Sequence, residues 1–293
     1  MTRGDQPGST LPRRQLGRAL REARQGVGFT LEQAAREMEM SKTAVIRIEK
    51  GHNEKVRVRD VEEFGRLYEL PDQRIEELKA LAQQSATKSW WQASRHLLLS
   101  GYNTYLGLES GASHLRSYQP VIIPGLLQIA HYARAIERPV FPGDLPEDLD
   151  NRVSVRVQRK AILTRQRKPI TAEFILHESV LHIVVGSHRV MAAQLRHIAD
   201  LSALPNVTVR ILPFTAGFPG AAAPVLPYIL LEFPAESSEP PVVYCESPIG
   251  SMFFEDAADV ARHREIHEGL RSATLDEQRS RDLLRRTARR YEQ

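Results

Sequence analysis

The segment 30–51 contains two short helix-like stretches that follow each other closely, and this spacing restricts the fold more than any other feature of the chain. Thr30 and Gln33 form a capping-box pair at the start of the first stretch. Ser41 can cap the second stretch, which Gly51 ends. The segment therefore predicts two consecutive short helices joined by a tight turn.

The residues between and inside the two stretches indicate how the helices pack. Only Glu39 and Met40 separate them. Ala34 and Ala35 are small enough for the first helix to cross the second at close range, where bulky side chains would push the pair apart. This arrangement predicts a helix-turn-helix, whose second helix can lie in the major groove of DNA with its N-terminal residues toward the base edges.

The second helix has one apolar face and one face that can meet DNA. Val45 and Ile48 lie on the apolar face and are expected in the core. On the other face, Lys and Arg can donate to guanine or to phosphate, Thr can bond a base edge or touch a thymine methyl group, and Ile offers apolar contact. We predict base contacts for four residues: Lys42, Thr43, Ile46 and Arg47.

The positive charge of the chain is concentrated in its N-terminal part. Residues 1–60 hold thirteen Lys and Arg against eight Asp and Glu, whereas residues 61–293 hold 27 against 28. Such asymmetry indicates nucleic acid or another acidic surface as a partner. We therefore expect salt-dependent phosphate contacts from six basic residues: Arg13, Arg14, Lys50, Lys55, Arg57 and Arg59.

Helical periodicity and composition divide the chain into four parts. Residues 1–12 are rich in Gly, Pro, Ser and Thr and predict a disordered arm, and residues 85–94 are a junction of changed composition. Residues 13–84 predict an all-α helix-turn-helix head of five helices, and residues 95–293 predict an α+β domain. The expected fold class is thus a multi-domain chain with an all-α head followed by an α+β domain.

The elements expected from apolar periodicity are as follows. The head has helices over residues 13–25, 31–38, 42–50, 58–70 and 71–84. The second domain has helices over residues 95–115, 124–136, 145–165, 188–203, 257–273 and 276–290. It has strands over residues 170–176, 207–213, 227–233, 242–246 and 251–254.

Three spaced features of the head agree with one known pattern. An Arg ends the first helix, T-x-x-x-A-A lies in the second, and S-x-x-x-V-x-R-I-E-x-G lies in the third. With these motifs, residues 14–70 resemble the XRE/λ-repressor-like helix-turn-helix domains. The resemblance implies that Arg24 and Glu49 form a partly buried structural ion pair between the first and third helices. Ile46 departs from the Ser, Gln or Glu often found at its position in that family.

Several stretches of the second domain are similar to another family. They include YQPVIIPGLLQIAHYARA, ESVLHIVVG, LEFP, VYCE and FEDAADVARHR. With them, residues 95–285 resemble the domain of unknown function that follows the helix-turn-helix in WhiJ-like, antitoxin-like actinobacterial regulators. The resemblance implies a transcription factor whose C-terminal domain senses or binds something, with a small protein encoded by a neighbouring gene as a frequent companion. It brings no catalytic residues with it.

Composition argues against export, a membrane span and a cysteine-based site. No apolar run approaches the roughly 18–20 residues that a membrane span needs, and the N-terminus lacks the apolar region of a signal peptide. Cys245 is the only cysteine, which excludes an intramolecular disulfide framework and a multi-cysteine zinc site. We expect a cytoplasmic protein without a membrane partner or cofactor.

Two histidine-containing pairs are candidates for chemistry. His263 and His267 have the i, i+4 spacing of metal ligands, but no zincin Glu lies between them and no third ligand can be named. His177 and Glu178 resemble an acid/base pair without the nucleophile that would complete a site. We therefore expect no metal site and no catalytic residue.

These observations predict a sequence-specific DNA-binding transcriptional regulator. Its partner is double-stranded DNA, bound by a homodimer on half-sites about one helical turn apart. The C-terminal domain is expected to dimerise, sense a ligand or bind a small partner protein. Two alternatives remain open: an adaptor or antitoxin-like protein whose head no longer binds DNA, which Ile46 would favour, and an enzyme with a targeting helix-turn-helix.

Overall fold

The computed structural model describes residues 11–53, 56–85, 102–217, 226–237, 239–247 and 250–293. The chain forms two compact units. Residues 1–92 make up most of the first, which also includes 106–111 and 233–239, and the second consists of 93–105, 112–232 and 240–293. The predicted fold class, an all-α head of five helices followed by an α+β domain, is confirmed.

The five predicted helices of the head are present with small shifts at their ends. They are α1 (Leu11–Gly26), α2 (Leu31–Glu37), α3 (Lys42–Glu49), α4 (Val58–Leu67) and α5 (Asp72–Ser85). Helix α1 begins two residues earlier than predicted because Leu11 is buried and joins the helix, so Leu11 and Pro12 do not belong to a disordered arm. The rest of that predicted arm, and residues 86–94 of the predicted junction, lie outside the described residues.

Local hydrogen bonds set the limits of the helix-turn-helix as the sequence predicts. The Gln33 backbone N–H donates to the Thr30 hydroxyl (3.2 Å), and the Thr30 N–H donates to the Gln33 side chain (2.8 Å), which completes the capping box. Ser41 Oγ accepts from the Ala44 N–H (3.1 Å) at the start of α3. The chain turns between the helices at Glu39, whose φ of 52° lies in the left-handed region.

The core of the head gathers the inward faces of its helices. Ala34 and Ala35 of α2 are buried, as are Val45 and Ile48 of α3, which confirms the predicted packing faces. Aliphatic and aromatic side chains of the neighbouring helices complete this core: Leu16, Leu20, Val61, Phe64, Tyr68 and Leu78. The short α2 and α3 therefore owe their stability to burial against the other helices more than to their length.

Gly17 is the point of closest approach between α1 and α3. A Cβ added to Gly17 would lie 2.4 Å from the Ile48 carbonyl oxygen and 2.6 Å from that of Glu49. Both are backbone atoms, which cannot move aside as the end of a flexible side chain can. The glycine thus lets α1 pack directly on the backbone at the C-terminal end of α3. Gly26, in the last turn of the same helix, has no atom within 4 Å of its would-be Cβ.

We predict that Gly17→Ala destabilises the packing of α1 on α3 by about 1–3 kcal/mol, the usual cost of overpacking. Native-state hydrogen exchange of the α3 amides in the full chain measures this loss. Gly26→Ala is the matched control, since it adds the same methyl group to the same helix in open space, and it should be neutral or stabilising by about 0.5–1 kcal/mol. Equal protection of α3 in the two variants would contradict the close contact.

The second unit is built on a mixed six-stranded sheet. Its strands are β1 (His114–Gln119), β2 (Thr171–His177), β3 (Val207–Leu212), β4 (Tyr228–Glu232), β5 (Val242–Ser247) and β6 (Gly250–Phe254). Their order in the sheet is β3-β2-β1-β4-β5-β6. The pairs β1–β2 and β2–β3 are parallel, whereas β1–β4, β4–β5 and β5–β6 are antiparallel. The consecutive buried residues Phe174, Ile175 and Leu176 show that β2 is covered on both faces.

Helices accompany the sheet. They are the first turn of α6 (Tyr102–Gly111), whose residues 106–111 belong to the first unit, and α7 (Ala130–Val140), α8 (Pro146–Gln158), α9 (Ala161–Thr164), α10 (His188–Leu201), α11 (Ala257–Ser272) and α12 (Glu277–Arg290). One core cluster joins Ile175, Leu230 and Val243 of the sheet to Val260 and Leu270 of α11. None of the helices within the described ranges combines the length and the hydrophobicity that a membrane span requires.

Three of the predicted elements of this domain are wrong in part. The helix expected over 95–115 ends at Gly111, and residues 114–119 form the unpredicted strand β1; residues 95–101 lie outside the described part of the chain. The helix expected over 124–136 is divided into a 3-10 turn and α7, and that over 145–165 into α8 and α9. Strand β1 was not predicted from the sequence because the partners of its polar side chains lie on other strands, as Glu232 of β4 does for Arg116 (2.8 Å).

Candidate nucleic-acid interface

Helix α3 presents the four predicted base-contacting residues on its outer side. Lys42, Thr43 and Arg47 are exposed, and Ile46 is half-buried. Among the described residues, no carboxylate pairs with Arg47. The surface thus offers a hydroxyl, an unpaired guanidinium and a partly exposed aliphatic group on a helix whose opposite face is anchored in the core.

An ion pair fixes α3 to α1. Arg24 Nε donates to Glu49 Oε1 (2.6 Å) and Arg24 Nη2 donates to Glu49 Oε2 (3.0 Å), a bidentate arrangement. The two side chains are 9 % and 6 % exposed. The hydrogen bond to Glu49 raises the pKa of Arg24 above its usual value. Arg24 Nη1 also donates to the Phe29 carbonyl (2.7 Å), just before α2, so one guanidinium joins the ends of three helices.

A second ion pair lies at the exposed N-terminal end of α3. The Lys42 ammonium contacts the Glu32 carboxylate of α2, with both side chains more than half exposed. This hydrogen bond lowers the pKa of Glu32. Glu32 was not predicted from the sequence to take part in the site, although it lies in the first turn of the preceding helix, ten positions before Lys42. The pair holds Lys42 in place and also sets a negative charge beside a residue expected to meet DNA.

The predicted phosphate contacts fall into three groups. Lys50 and Arg57 are exposed, and no described carboxylate forms an ion pair with either. Arg59 is exposed but pairs with Glu63 one turn further along α4 (2.8 Å). Arg13 is half-buried, and Lys55 lies outside the described residues. These positions remain predictions, of which Lys50 and Arg57 are exposed without an ion pair to a described carboxylate.

Arg14 has a different environment from the other predicted phosphate contacts. Its Nε lies 2.6 Å from Glu239 Oε1, and Arg18 Nη2 lies 3.1 Å from Glu239 Oε2. The Glu239 side chain is fully buried and that of Arg14 is 11 % exposed. Arg14 would therefore have to exchange this carboxylate for a phosphate in order to contact DNA. The partner lies 225 positions away and could not have been predicted from local sequence.

The predicted histidine pair of α11 is divided between two environments. His267 is fully buried, with Nδ1 2.9 Å from the Tyr228 hydroxyl and Nε2 3.4 Å from Glu173 Oε2. Burial alone would raise the pKa of Glu173, but the adjacent His267 and the nearby arginines lower it. His263 contacts the Asp259 carbonyl (2.8 Å). Within the part of the chain that is described, no three His, Cys, Asp or Glu side chains are grouped to hold a metal ion.

His177 and Glu178 bond to separate groups. His177 Nδ1 accepts from the Ser179 N–H (3.3 Å) and caps a short 3-10 helix, and burial lowers the pKa of the imidazole. Glu178 Oε2 accepts from the Phe214 N–H (2.8 Å). The two side chains are thus used to hold loops, and the structure does not bring them into one hydrogen bond.

The packing of α2 against α3, with the polar side of α3 exposed, defines the head as a helix-turn-helix domain, the type of domain found in DNA-binding regulators. In agreement, residues 15–78 match the family model described as Helix-turn-helix domain. Residues 102–286, more than half of the chain, match the family Domain of unknown function (DUF5753), and the chain belongs to this family. No curated protein and no solved structure matches the chain.

We predict that Glu32→Gln strengthens binding of the full chain to mixed-sequence duplex DNA about two- to tenfold at low salt. The change releases Lys42 and removes a charge that repels phosphate, and the gain should shrink as salt screens it. Fluorescence anisotropy over a salt series measures the affinity. Glu77→Gln is the control, because it removes the same charge from an ion pair with Arg74 in α5. Equal strengthening in both variants would show that net charge alone is responsible.

Proposed function

We propose that the chain is a sequence-specific DNA-binding transcriptional regulator and not an enzyme. The observation that carries the proposal is the exposed face of α3, where Thr43 and Arg47 project from a helix fixed by buried Val45 and Ile48. The match of residues 15–78 to helix-turn-helix domains supports it. The bidentate pair of Arg24 with Glu49 supports the finer assignment to the XRE/λ-repressor-like type.

The proposed mechanism divides DNA recognition between two sets of side chains. Arg47 and Lys42 donate to guanine or phosphate and Thr43 contacts a base edge, with about 1–3 kcal/mol of discrimination for each good bidentate contact. Ile46 adds apolar contact to a thymine methyl group. Lys50 and Arg57 neutralise phosphates and supply the salt-dependent part of the affinity. Arg13, Arg14, Lys55 and Arg59 belong to the same proposed set.

The second domain is proposed to regulate this binding. A head of this size reads few base pairs, so we propose a homodimer on half-sites about one helical turn apart. The DUF5753 domain would dimerise, sense a ligand or bind a small partner protein, in the manner of WhiJ-like actinobacterial regulators. A ligand or partner regulates only if it binds two states of the protein with different affinity. Such a protein acts in the cytoplasm, where a bacterial chromosome lies.

We predict that genomic DNA fragments selected by the full chain share a palindromic site, and that a Lys42→Ala/Arg47→Ala variant does not enrich it. The two substitutions remove the long donors from the outer side of α3 but leave the buried face intact. Sequencing of the bound fragments measures the enrichment and the spacing of half-sites. Arg66→Ala/Arg74→Ala is the matched control, because it removes two exposed, ion-paired arginines from α4 and α5.

Each outcome distinguishes between the candidate functions. The regulator function is supported if the wild type and the Arg66→Ala/Arg74→Ala variant enrich a common site and the Lys42→Ala/Arg47→Ala variant does not. If the α3 variant enriches the same site, DNA is read by another surface. If no protein enriches a site, the head does not read DNA, and the adaptor function that Ile46 favours becomes the better account.

A further inference from the structure

The C-terminal half of α12 carries four arginines that the proposed contact of α3 with DNA does not use. All four are exposed: Arg285, Arg286, Arg289 and Arg290. They form two neighbouring rows, because residues four positions apart lie one above the other on a helix. Within the described ranges, no carboxylate forms an ion pair with any of them. The second unit thus presents a compact group of four unneutralised guanidinium groups, which we call the arginine face of α12.

Other exposed arginines of the second unit do have acidic partners. Arg264 Nη2 lies 2.6 Å from Glu232 Oε1. At the start of α12 itself, Arg279 Nε lies 3.4 Å from Asp276 Oδ2. On the arginine face, by contrast, like charges stand one turn apart in each row, and such pairs destabilise a helix. The arrangement therefore has a cost to the fold that an anionic partner would remove.

The carboxylates closest in sequence to the arginine face are directed to other groups. Glu277 Oε1 lies 3.1 Å from Arg210 Nη2 of β3. Asp282 accepts a hydrogen bond from the amide side chain one turn before it in α12 (3.1 Å). Glu292, just after the helix, contacts Arg196 of α10. The acidic residues of this segment thus neutralise other cations and leave the arginine face positive.

Hydrogen bonds hold α12 in place along its length. Near its start, Ser280 Oγ accepts from the Ile211 N–H of β3 (2.9 Å). In its middle, Arg281 Nη2 donates to the carbonyl at the C-terminal end of α10 (2.6 Å). At its end, the Tyr291 hydroxyl donates to the Leu181 carbonyl (3.0 Å). The backbone that carries the arginine face is therefore fixed before any partner binds.

The apolar side of α12 is already used inside the unit. Leu284 and Ala288 are fully buried. Within α12, all of whose residues are described, no large apolar side chain is exposed. A stable protein interface has an apolar core, and a helix that lies on a membrane inserts an apolar face. The arginine face has neither, so it is suited to a partner that offers negative charge alone.

The charge density of the arginine face matches that of duplex DNA. Residues 285–290 rise by about 7.5 Å along the helix axis, at 1.5 Å per residue. Duplex DNA carries one negative charge for about every 1.7 Å of its axis, which gives about four phosphates over the same length. Guanidinium groups also bind phosphate oxygens in a bidentate manner.

We propose that the arginine face of α12 is a second DNA-contacting surface, which binds the phosphate backbone of duplex DNA without reading its sequence. Phosphate contacts supply affinity and positioning but no base discrimination. The DUF5753 domain would then take part in DNA binding directly, besides any regulatory role. The proposal rests on the proposed DNA-binding function for the identity of the partner.

The test measures binding of the full chain to a mixed-sequence duplex by fluorescence anisotropy over a salt series. Arg285→Gln/Arg289→Gln removes one row of the arginine face and keeps residues that favour a helix. We expect about tenfold weaker binding at low salt. The slope of log affinity against log salt should become shallower by about two, one for each lost phosphate contact. Arg286→Gln/Arg290→Gln, which removes the other row, should give the same result.

Arg262→Gln/Arg279→Gln is the matched control. It removes the same net charge from two exposed arginines, one in α11 and one at the start of α12, each of which is ion-paired with a neighbouring carboxylate. We expect an affinity within about twofold of wild type and an unchanged salt slope. Equal weakening in the control and in the two test variants would show that net charge alone is responsible, and the proposal would be wrong.

Repeating the comparison in the Lys42→Ala/Arg47→Ala background separates the two surfaces. Loss of affinity on removal of either row in both backgrounds supports the arginine face, even if the DNA selection finds no palindromic site. If the α12 variants bind the duplex like wild type, the proposal is overturned, whereas enrichment of a site through α3 would still stand. Unchanged duplex affinity with lost binding to vesicles of phosphatidylcholine and phosphatidylserine would overturn it in favour of a membrane contact.

Discussion

The contact between α1 and α3 determines how the outer side of α3, the proposed DNA-binding surface, is presented. It has two parts: the buried bidentate pair of Arg24 with Glu49, and the backbone approach that Gly17 permits. Because both act on the C-terminal half of α3, the helix needs no great intrinsic stability over its eight residues. Burial of Val45 then sets its rotation, which directs Thr43 and Arg47 outward. The geometry of the proposed DNA-binding surface is thus a consequence of the packing behind it.

Acidic side chains offset much of the positive charge that the sequence concentrates in the head. Lys42 contacts Glu32, Arg59 contacts Glu63, and Arg14 contacts the buried Glu239. To contact DNA as proposed, each of these cations must exchange a carboxylate for a phosphate or a base, so its net contribution to affinity is smaller than that of an unpaired cation. In the proposed complex, non-specific binding is correspondingly reduced, and discrimination depends more on Arg47 and Thr43.

The helices of the head could be predicted well because the residues that mark their ends and contacts lie close together in the sequence. Capping residues and a terminal glycine mark α2 and α3, and small residues mark their contact. Strand β1 and the division of the helix expected over 124–136 depend on partners far along the chain, such as Glu232 for Arg116. The same holds for the site: the outer side of α3 follows from periodicity, whereas Glu239 beside Arg14 does not. The cavity that Gln119, Gly125 and Gln128 help to line in the second unit is likewise assembled from several elements and has no local motif.

The most direct test of the central claim is site-specific cross-linking to the selected duplex. A Thr43→Cys variant can be labelled with a thiol-directed photo-cross-linker, because the native Cys245 is buried and its burial raises its thiol pKa. If α3 reads the major groove, position 43 cross-links to bases inside each half-site, whereas a Glu76→Cys control on the exposed side of α5 gives no cross-links. Bound DNA that cross-links equally to both positions, or not at all to position 43, would contradict the claim that α3 reads the major groove.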